Sequence, residues 1–260
     1  MKVKSSLVNL LLKLSIVGVV GATFFTGCST KLAMKTEKVN AQFSFDKKLK
    51  KSPSVPYVIG IVSPSLKKSE GKVYQTVDSS LRRALNFAIA EILTAKGFKT
   101  KGPYETFDDI TYRDKKMIYL AYVPKLNLIV NKMDVKKEYH KLYYHETGIF
   151  TLSGSLEISV DEPMTGQAFI KKRINLADLD ISEPYIYEKQ VSLGDGSLTG
   201  ALVDKIGASK VLHDNSEAAY ARAVNKFYTK AVKRIEQYID REEILSYKDD
   251  ILKLKGLKRF

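Results

Sequence analysis

Two short basic runs carry the side chains best suited to chemistry in this chain. Residues 132–141 read Lys-Met-Asp-Val-Lys-Lys-Glu-Tyr-His-Lys, with Tyr143 and Tyr144 just beyond, and Lys171-Lys172-Arg173 supplies an arginine. Ammonium and guanidinium groups hold carboxylates, sulfates or phosphates. Arginine suits a carboxylate best, because its planar fork donates two parallel hydrogen bonds. On a strand, Lys171 and Arg173 would share one face while Lys172 points the other way. Lys136, Lys137, Lys171 and Arg173 are therefore the candidate anion-binding residues. The competing reading is a pair of solvated strand ends, where lysine discourages edge-to-edge pairing.

The remaining reactive side chains do not assemble into a motif. His140 and His145 are five apart, on opposite faces of a strand or about 140° apart on a helix, so neither geometry joins them. His213 directly precedes a helix-cap sequence. Asp178 and Asp180 could share a strand face, but no second catalytic partner stands near them. Gly194-Asp195-Gly196-Ser197 lacks both a P-loop lysine and the dinucleotide glycine spacing. Cys28 is the only cysteine, which rules out an intramolecular disulfide and a cysteine-based zinc cluster. The expectation is a chain with no metal, no cofactor and no catalysis, although a triad built from distant positions would leave no local mark.

Composition sets the frame for these residues. The chain has 260 residues, 43 Lys+Arg against 29 Asp+Glu, and a formal charge of +14, while 44% of residues are hydrophobic. That apolar content excludes a fully disordered chain. The positive excess points to an anionic partner, set against a lysine-rich solvated surface.

The first 27 residues read as an address. Lys2, Lys4 and Lys13 precede an apolar stretch from Leu14 to Phe25, and Phe25-Thr26-Gly27-Cys28 follows. Twelve apolar residues fall short of the roughly 20 needed to span a bilayer, and the pattern is that of a secretory signal. The ending resembles a bacterial lipobox, in which the cysteine becomes a lipidated N-terminus; Phe25 stands where such motifs prefer leucine. Removing residues 1–27 takes away three lysines and no acids, leaving +11. Two or three acyl chains hold a protein on a membrane stably, at about 0.8 kcal/mol per buried methylene. By analogy with bacterial lipoproteins, Ser29 directs the chain to the outer membrane. Export makes nucleic acid the poorest anionic partner.

Three segments are expected: a signal peptide over 1–27, a polar tether over 28–38, and one domain over 39–260. Val39–Phe45 alternates apolar and polar residues as a half-buried strand does. Lys47, Lys48, Lys50, Lys51, Pro53 and Pro56 read as a loop, and Tyr57–Val62 as a buried strand. A helix capped by Asp78 or Ser79 and ended by Gly97 would align Leu81, Leu85, Ala88 and Ile92. Strands are expected at Tyr119–Val123 and Leu126–Val130, separated by Pro124. Residues 147–160 would contribute Ile149, Leu156, Ile158 and Val160 to the core. They would turn back through residues 161–166 into a strand at Ala168–Ile174. Gly194, Gly196, Gly200 and Gly207 lie in one long segment, read as flexible, whose apolar residues could still form a short strand or helix. A last long helix, capped by an Asp214–Glu217 box or by Asn215, buries Ala221, Val224, Tyr228, Ala231, Ile235, Tyr238 and Ile239. Its other side carries Arg222, Lys226, Lys230, Lys233 and Arg241. The predicted fold class is α+β: a two-layer, mostly antiparallel mixed sheet covered by two long helices.

Certain words in the sequence resemble the neuraminyllactose-binding hemagglutinin family of bacterial lipoproteins. They are Glu162-Pro163-Met164-Thr165-Gly166, Leu176-Ala177-Asp178-Leu179-Asp180-Ile181, Asp214-Asn215-Ser216, Ser246-Tyr247 and Leu254-Lys255-Gly256. Upstream, the signal with Cys28, the helix ending near Gly97 and Tyr119-Leu120-Ala121 agree more loosely. The resemblance implies a lipoprotein of the outer membrane or flagellar sheath, acting as an adhesin for sialylated glycans, without catalysis or cofactor. It also implies a sialic-acid site in the basic stretch before the hairpin, here Lys132–Lys141, where Asp134 and Glu138 dilute the charge. The expected partners are a membrane, through lipidated Cys28, and sialylated glycans or other anionic surfaces; a homo-oligomer is compatible with this reading. The rival is a structural or assembly lipoprotein that binds proteins through its sheet edge or its basic helix.

Overall fold

A computed structural model describes residues 35–36, 39, 41–45, 48–66, 72–140, 143–190 and 211–257. In chain order the strands are β1 (Lys35–Thr36), β2 (Val58–Val62), β3 (Ser65–Leu66), β4 (Lys99–Tyr104), β5 (Leu120–Tyr139), β6 (Tyr143–Asp161), β7 (Ala168–Asn175), β8 (Ser182–Gln190) and β9 (Val211–Asp214). The helices are α1 (Lys72–Ala95), α2 (Tyr112–Met117), α3 (Ser216–Tyr238), α4 (Arg241–Ser246) and α5 (Lys248–Leu257). One mixed sheet runs β1-β9-β8-β6-β5-β2-β4, with β3 beside β5 and β7 beside β6. The α+β architecture with two long helices is as the residue patterns predict.

The two long helices cover one face because their apolar stripes match it. Leu81, Leu85, Ala88 and Ile92 on α1, and Ala221, Val224, Tyr228, Ala231 and Ile235 on α3, are buried with Ile59, Leu126, Leu156, Ile158 and Val160 from the sheet. Burial of that α3 stripe accounts for its amphipathic pattern without a membrane surface. α1 begins at Lys72, so Asp78 is not its cap. The Asp78 side chain is buried inside the helix and accepts a hydrogen bond from the Tyr220 hydroxyl at 2.5 Å, tying α1 to α3. Gly97 does end the helix, with φ +92°, and a Cβ there would lie 2.2 Å from the Pro53 carbonyl oxygen. The lysine-rich loop before it is held down by Ser52 and Val55 amides bonded to the carbonyls of Ala95 and Gly97.

Other expectations change in the folded chain. Val39, Ala41, Phe43 and Phe45 do pack on the core while Gln42 and Ser44 stay exposed, but residues 41–45 join no strand. Phe43 instead meets Tyr228 of α3 at 5.3 Å between ring centres. Part of the polar tether is ordered, since Lys35–Thr36 pairs in parallel with His213–Asp214. The two strands expected around Pro124 are one strand of 20 residues. Pro124 falls in the gap between pairing with β2, which reaches Tyr122, and pairing with β3, which starts at Lys125. A missing amide hydrogen costs little at such a break. Ile149 is not core, because Phe150 and Leu152 set the inward parity of β6. Asp178 and Asp180 lie on no strand: residues 177–179 form a 3-10 turn and Asp180 adopts φ +46°.

β6 changes partner midway, pairing with β8 over residues 143–151 and with β7 over 155–161. Gly154 makes the switch possible. Its φ is +104°, a Cβ would sit 2.1 Å from the Asn127 carbonyl oxygen, and its own carbonyl accepts the Leu176 amide where the chain rounds the corner. On the sheet's other face, Val62, Ile110, Ile118, Ala121 and Val123 form a small second core under residues 107–118. Beyond that cover, no other described element packs on the outer face of β5, β6 and β7.

Candidate functional site

The two basic runs end up at opposite ends of the β5–β6 hairpin. Lys136 lies opposite Thr147 and Lys171 opposite Ser159, twelve residues apart along β6, which is about 40 Å at strand rise. They form no common surface. Lys141 lies outside the described residues, as do Cys28 and residues 191–210 with their glycines.

Beyond Asn131 the distal part of β5 is exposed on both faces. A bulge between Met133 and Lys136, with Asp134 at φ +50°, interrupts the pairing. Lys136 and Lys137 are adjacent on the strand and so point to opposite faces. On the face of Lys137, Glu146 accepts hydrogen bonds from the Tyr144 hydroxyl at 2.5 Å, the Tyr185 hydroxyl at 2.8 Å and Lys132 Nζ at 3.1 Å. Tyr144's hydroxyl, opposed by burial and helped by Tyr185 and Lys132, lowers this carboxyl to about 2. Lys132 also stands 4.7 Å from the Tyr185 ring centre, and Lys189 stands 5.3 Å from that of Tyr144. These contacts stiffen the arm. They engage Lys132 and Lys189 with the tyrosines of the arm, while Lys136, Lys137 and Tyr139, the last 74% exposed, stay open to solvent.

His140 and His145 are not on one strand, because the chain turns between them. The His140 amide bonds the Tyr143 carbonyl, and His145 lies across the ladder from Glu138. His140 Nε2 is 3.6 Å from the Glu138 carboxylate, and His213 sits in β9 opposite Glu188. Among the described residues no three His, Cys, Asp or Glu side chains converge as metal ligands would.

The second run behaves as the strand alternation predicts. Lys172 turns to the helical side and pairs with Glu243 at 3.0 Å, while Lys171 and Arg173 face outward. There they line an open cleft of about 490 Å³ with Val123 and Lys125 from β5, Glu157, Ser159 and Asp161 from β6, and Gly166 and Ala168 after the turn. The register places Lys125, Glu157 and Arg173 in one row across three strands, and Val123, Ser159 and Lys171 in the next. Arg173 Nη1 is 3.5 Å from Glu157. The Ser159 hydroxyl donates to Asp161 Oδ1. Burial raises the Asp161 carboxyl above its ordinary range, against the Ser159 hydrogen bond and the charges of Lys125 and Lys171. Sequence reasoning missed Lys125, Glu157, Ser159 and Asp161, which become neighbours of Lys171 only through strand register.

Three cations on the basic face of α3, Arg222, Lys226 and Lys230, are engaged within the protein, while Lys233 stays exposed. Arg222 Nε and Lys226 Nζ reach the buried Glu183 carboxylate at 3.0 and 2.7 Å, and Lys230 Nζ bonds the carbonyls of Leu179 and Asp180. Burial would push Glu183 up, yet Lys226 and Arg222 together bring it below the usual carboxylate range.

The family model of the neuraminyllactose-binding hemagglutinin precursor matches residues 25–258. The chain belongs to the neuraminyllactose-binding hemagglutinin family. A neuraminyllactose-binding hemagglutinin of Helicobacter pylori is 22% identical over 254 residues, covering 94% of both chains. Another from the same organism is 23% identical over 247 residues, covering 91% of each. A crystal structure of a neuraminyllactose-binding hemagglutinin homologue from Helicobacter pylori shares the fold. Its TM-score is 0.57 at 15% identity, over 80% of this chain and 98% of that one. These relatives are named as binding hemagglutinins, not as enzymes. No helix among the described residues is long and apolar enough to cross a membrane.

The words that carry the hemagglutinin-family resemblance are joints of this fold. Glu162, fully buried, takes the Thr165 amide and hydroxyl at 2.7 and 2.9 Å to shape the β6–β7 turn. Lys255 brings its half-buried ammonium to the Ile118 carbonyl at the end of α2; burial lowers its pKa, opposed by the charge of Glu162. Asn215 Oδ1 accepts the Ile186 amide at 2.7 Å, and Asp214 Oδ1 accepts the Ser216 amide at 2.8 Å. The bond at the helix start is thus made by Asp214 to Ser216 and not as a box with Glu217, while Asn215 makes no side-chain cap bond and ties the helix start to β8. Leu176–Ile181 forms the corner that Lys230 holds.

Proposed function

We propose that this protein is a lipid-anchored adhesin of the outer membrane, or of a flagellar sheath, that binds sialylated glycans without catalysis or cofactor. Cys28 is the anchor. The observation that carries the reading is the exposure of Lys171 and Arg173 together on one concave sheet face, in a chain whose relatives are named for binding neuraminyllactose. A guanidinium and an ammonium side by side suit the one carboxylate that distinguishes a sialylated sugar from a neutral one. Calorimetry of the full-length protein in detergent against sialyllactose tests this, with lactose as control. Saturable heat from the sialylated sugar alone is the expected result, and no heat at millimolar ligand removes the lectin reading.

A second reading is favoured by the family words lying at structural joints, which ties the family likeness to the scaffold. On that reading the protein is a non-catalytic assembly lipoprotein that binds protein partners. Antibody or protease access on intact cells separates the two, since an adhesin is reached from outside and a periplasmic scaffold is protected.

A further inference from the structure

We infer that the outer-face cleft over β5, β6 and β7, and not the projecting arm, seats the acidic N-acetylated sugar, with Asp161 as the residue that selects the N-acetyl group. This rests on the sialylated-glycan reading above.

Concavity decides first between the two basic regions. Sugar-sized ligands need walls that remove them from water. Around Lys136 and Lys137 the arm offers none, because β5 beyond Asn131 is exposed on both faces and the two lysines project to opposite sides. The cleft has the size of a small-ligand site and gathers cations from two strands.

Charge arrangement decides next what the cleft takes. Lys125, Lys171 and Arg173 surround it, but Glu157 and Asp161 face the same space. A bare anion such as sulfate would be attracted by the first three and repelled by the other two. A ligand that carries one carboxylate and several N–H and O–H donors satisfies both sets, since ionised carboxylates act only as acceptors. Arg173 and Lys171, one register step apart on β7, hold the ligand carboxylate. Asp161 Oδ1 is taken by Ser159, and its second oxygen accepts no hydrogen bond among the described residues. That oxygen receives the acetamido N–H. Val123, Ala168 and the open side of Gly166, where a Cβ would meet nothing within 4 Å, leave apolar room for the methyl group. Glu157, 51% exposed at its side chain, accepts ligand hydroxyls at the mouth.

The test is calorimetry of full-length protein in detergent with sialyllactose, free glucuronic acid and sulfate, using thermal unfolding to verify each variant. A charge-assisted hydrogen bond is worth about tenfold or more in affinity. Lys171→Glu with Arg173→Glu is expected to abolish sialyllactose binding, and Arg173→Lys to weaken it about tenfold through loss of the fork. Asp161→Asn is expected to weaken sialyllactose about tenfold while leaving glucuronic acid, which has no acetamido group, within about twofold. Lys136→Glu with Lys137→Glu should change nothing. Binding lost in the arm pair and retained in the cleft variants overturns this inference and leaves the adhesin reading standing. Sulfate binding as well as sialyllactose, or equal losses for both sugars in Asp161→Asn, also overturns it. A wild-type protein that ignores sialyllactose overturns both.

Discussion

Glu146 and Asp161 face opposite sides of the same strand and titrate in opposite directions. Glu146 receives two tyrosine hydroxyls and a lysine, so its ionised form is favoured and its pKa falls to about 2 from an ordinary value of 4.5. Asp161 has a single serine donor and distant lysines, so burial prevails and its pKa rises. A group with a depressed folded pKa contributes stability that is complete above its unfolded value and is lost as pH falls toward the folded one. Glu146 therefore stabilises the arm fully above about pH 4.5 and loses that contribution between about 4.5 and 2. Glu146→Gln is expected to cost about 2 kcal/mol at neutral pH. It should also flatten the fall in unfolding temperature over that acid window, as measured by calorimetric scans at stepped pH. A variant that keeps the full acid dependence would contradict this role for Glu146.

At the scale of elements, the switch of β6 from β8 to β7 depends on one glycine. Gly154→Ala puts a methyl group against the Asn127 carbonyl and holds alanine at φ +104°. It should destabilise the protein by at least about 2 kcal/mol in urea unfolding. Gly166→Ala provides the contrast, since φ is +73° there but space is open. Only the left-handed strain of about 1 kcal/mol should appear. Equal losses at both positions would mean that backbone conformation, not the close approach of β5, accounts for Gly154. The same elements show why parts of the fold were hidden from the sequence. β4 is a Lys-Thr-Lys edge strand with no apolar alternation. In β8 one inward position is Glu183, which is readable as core only once Arg222 and Lys226 arrive from α3. Asp78 resembled a helix cap because its buried partner, Tyr220, lies 142 residues away.

At the scale of the whole molecule, the arm is the distal part of the β5–β6 hairpin, and the cleft lies over its other end together with β7. The arm is a stiffened projection whose lysines and bulge blunt a strand edge left unpaired among the described residues; the cleft is concave. The proposed lipid anchor is tested at Cys28. Cys28→Ser is expected to abolish incorporation of labelled palmitate and to move the protein from the detergent to the aqueous phase on partitioning. Retention in the detergent phase without label would refute anchoring through Cys28.

By itself the sequence determined the α+β class, the two long helices, the inward stripes and the outward pairing of Lys171 with Arg173. Each of these follows from local periodicity, which a chain carries before it folds. Only the tertiary structure decided that Lys136 and Lys137 lie far from that pair, that Arg222, Lys226 and Lys230 of α3 are taken up by Glu183 and the 179–180 carbonyls, and that Lys125, Glu157 and Asp161 complete a cleft. Those facts depend on strand register and on contacts between distant residues. The pairing energy that fixes a register is spread over whole strands, so no short stretch of sequence displays it.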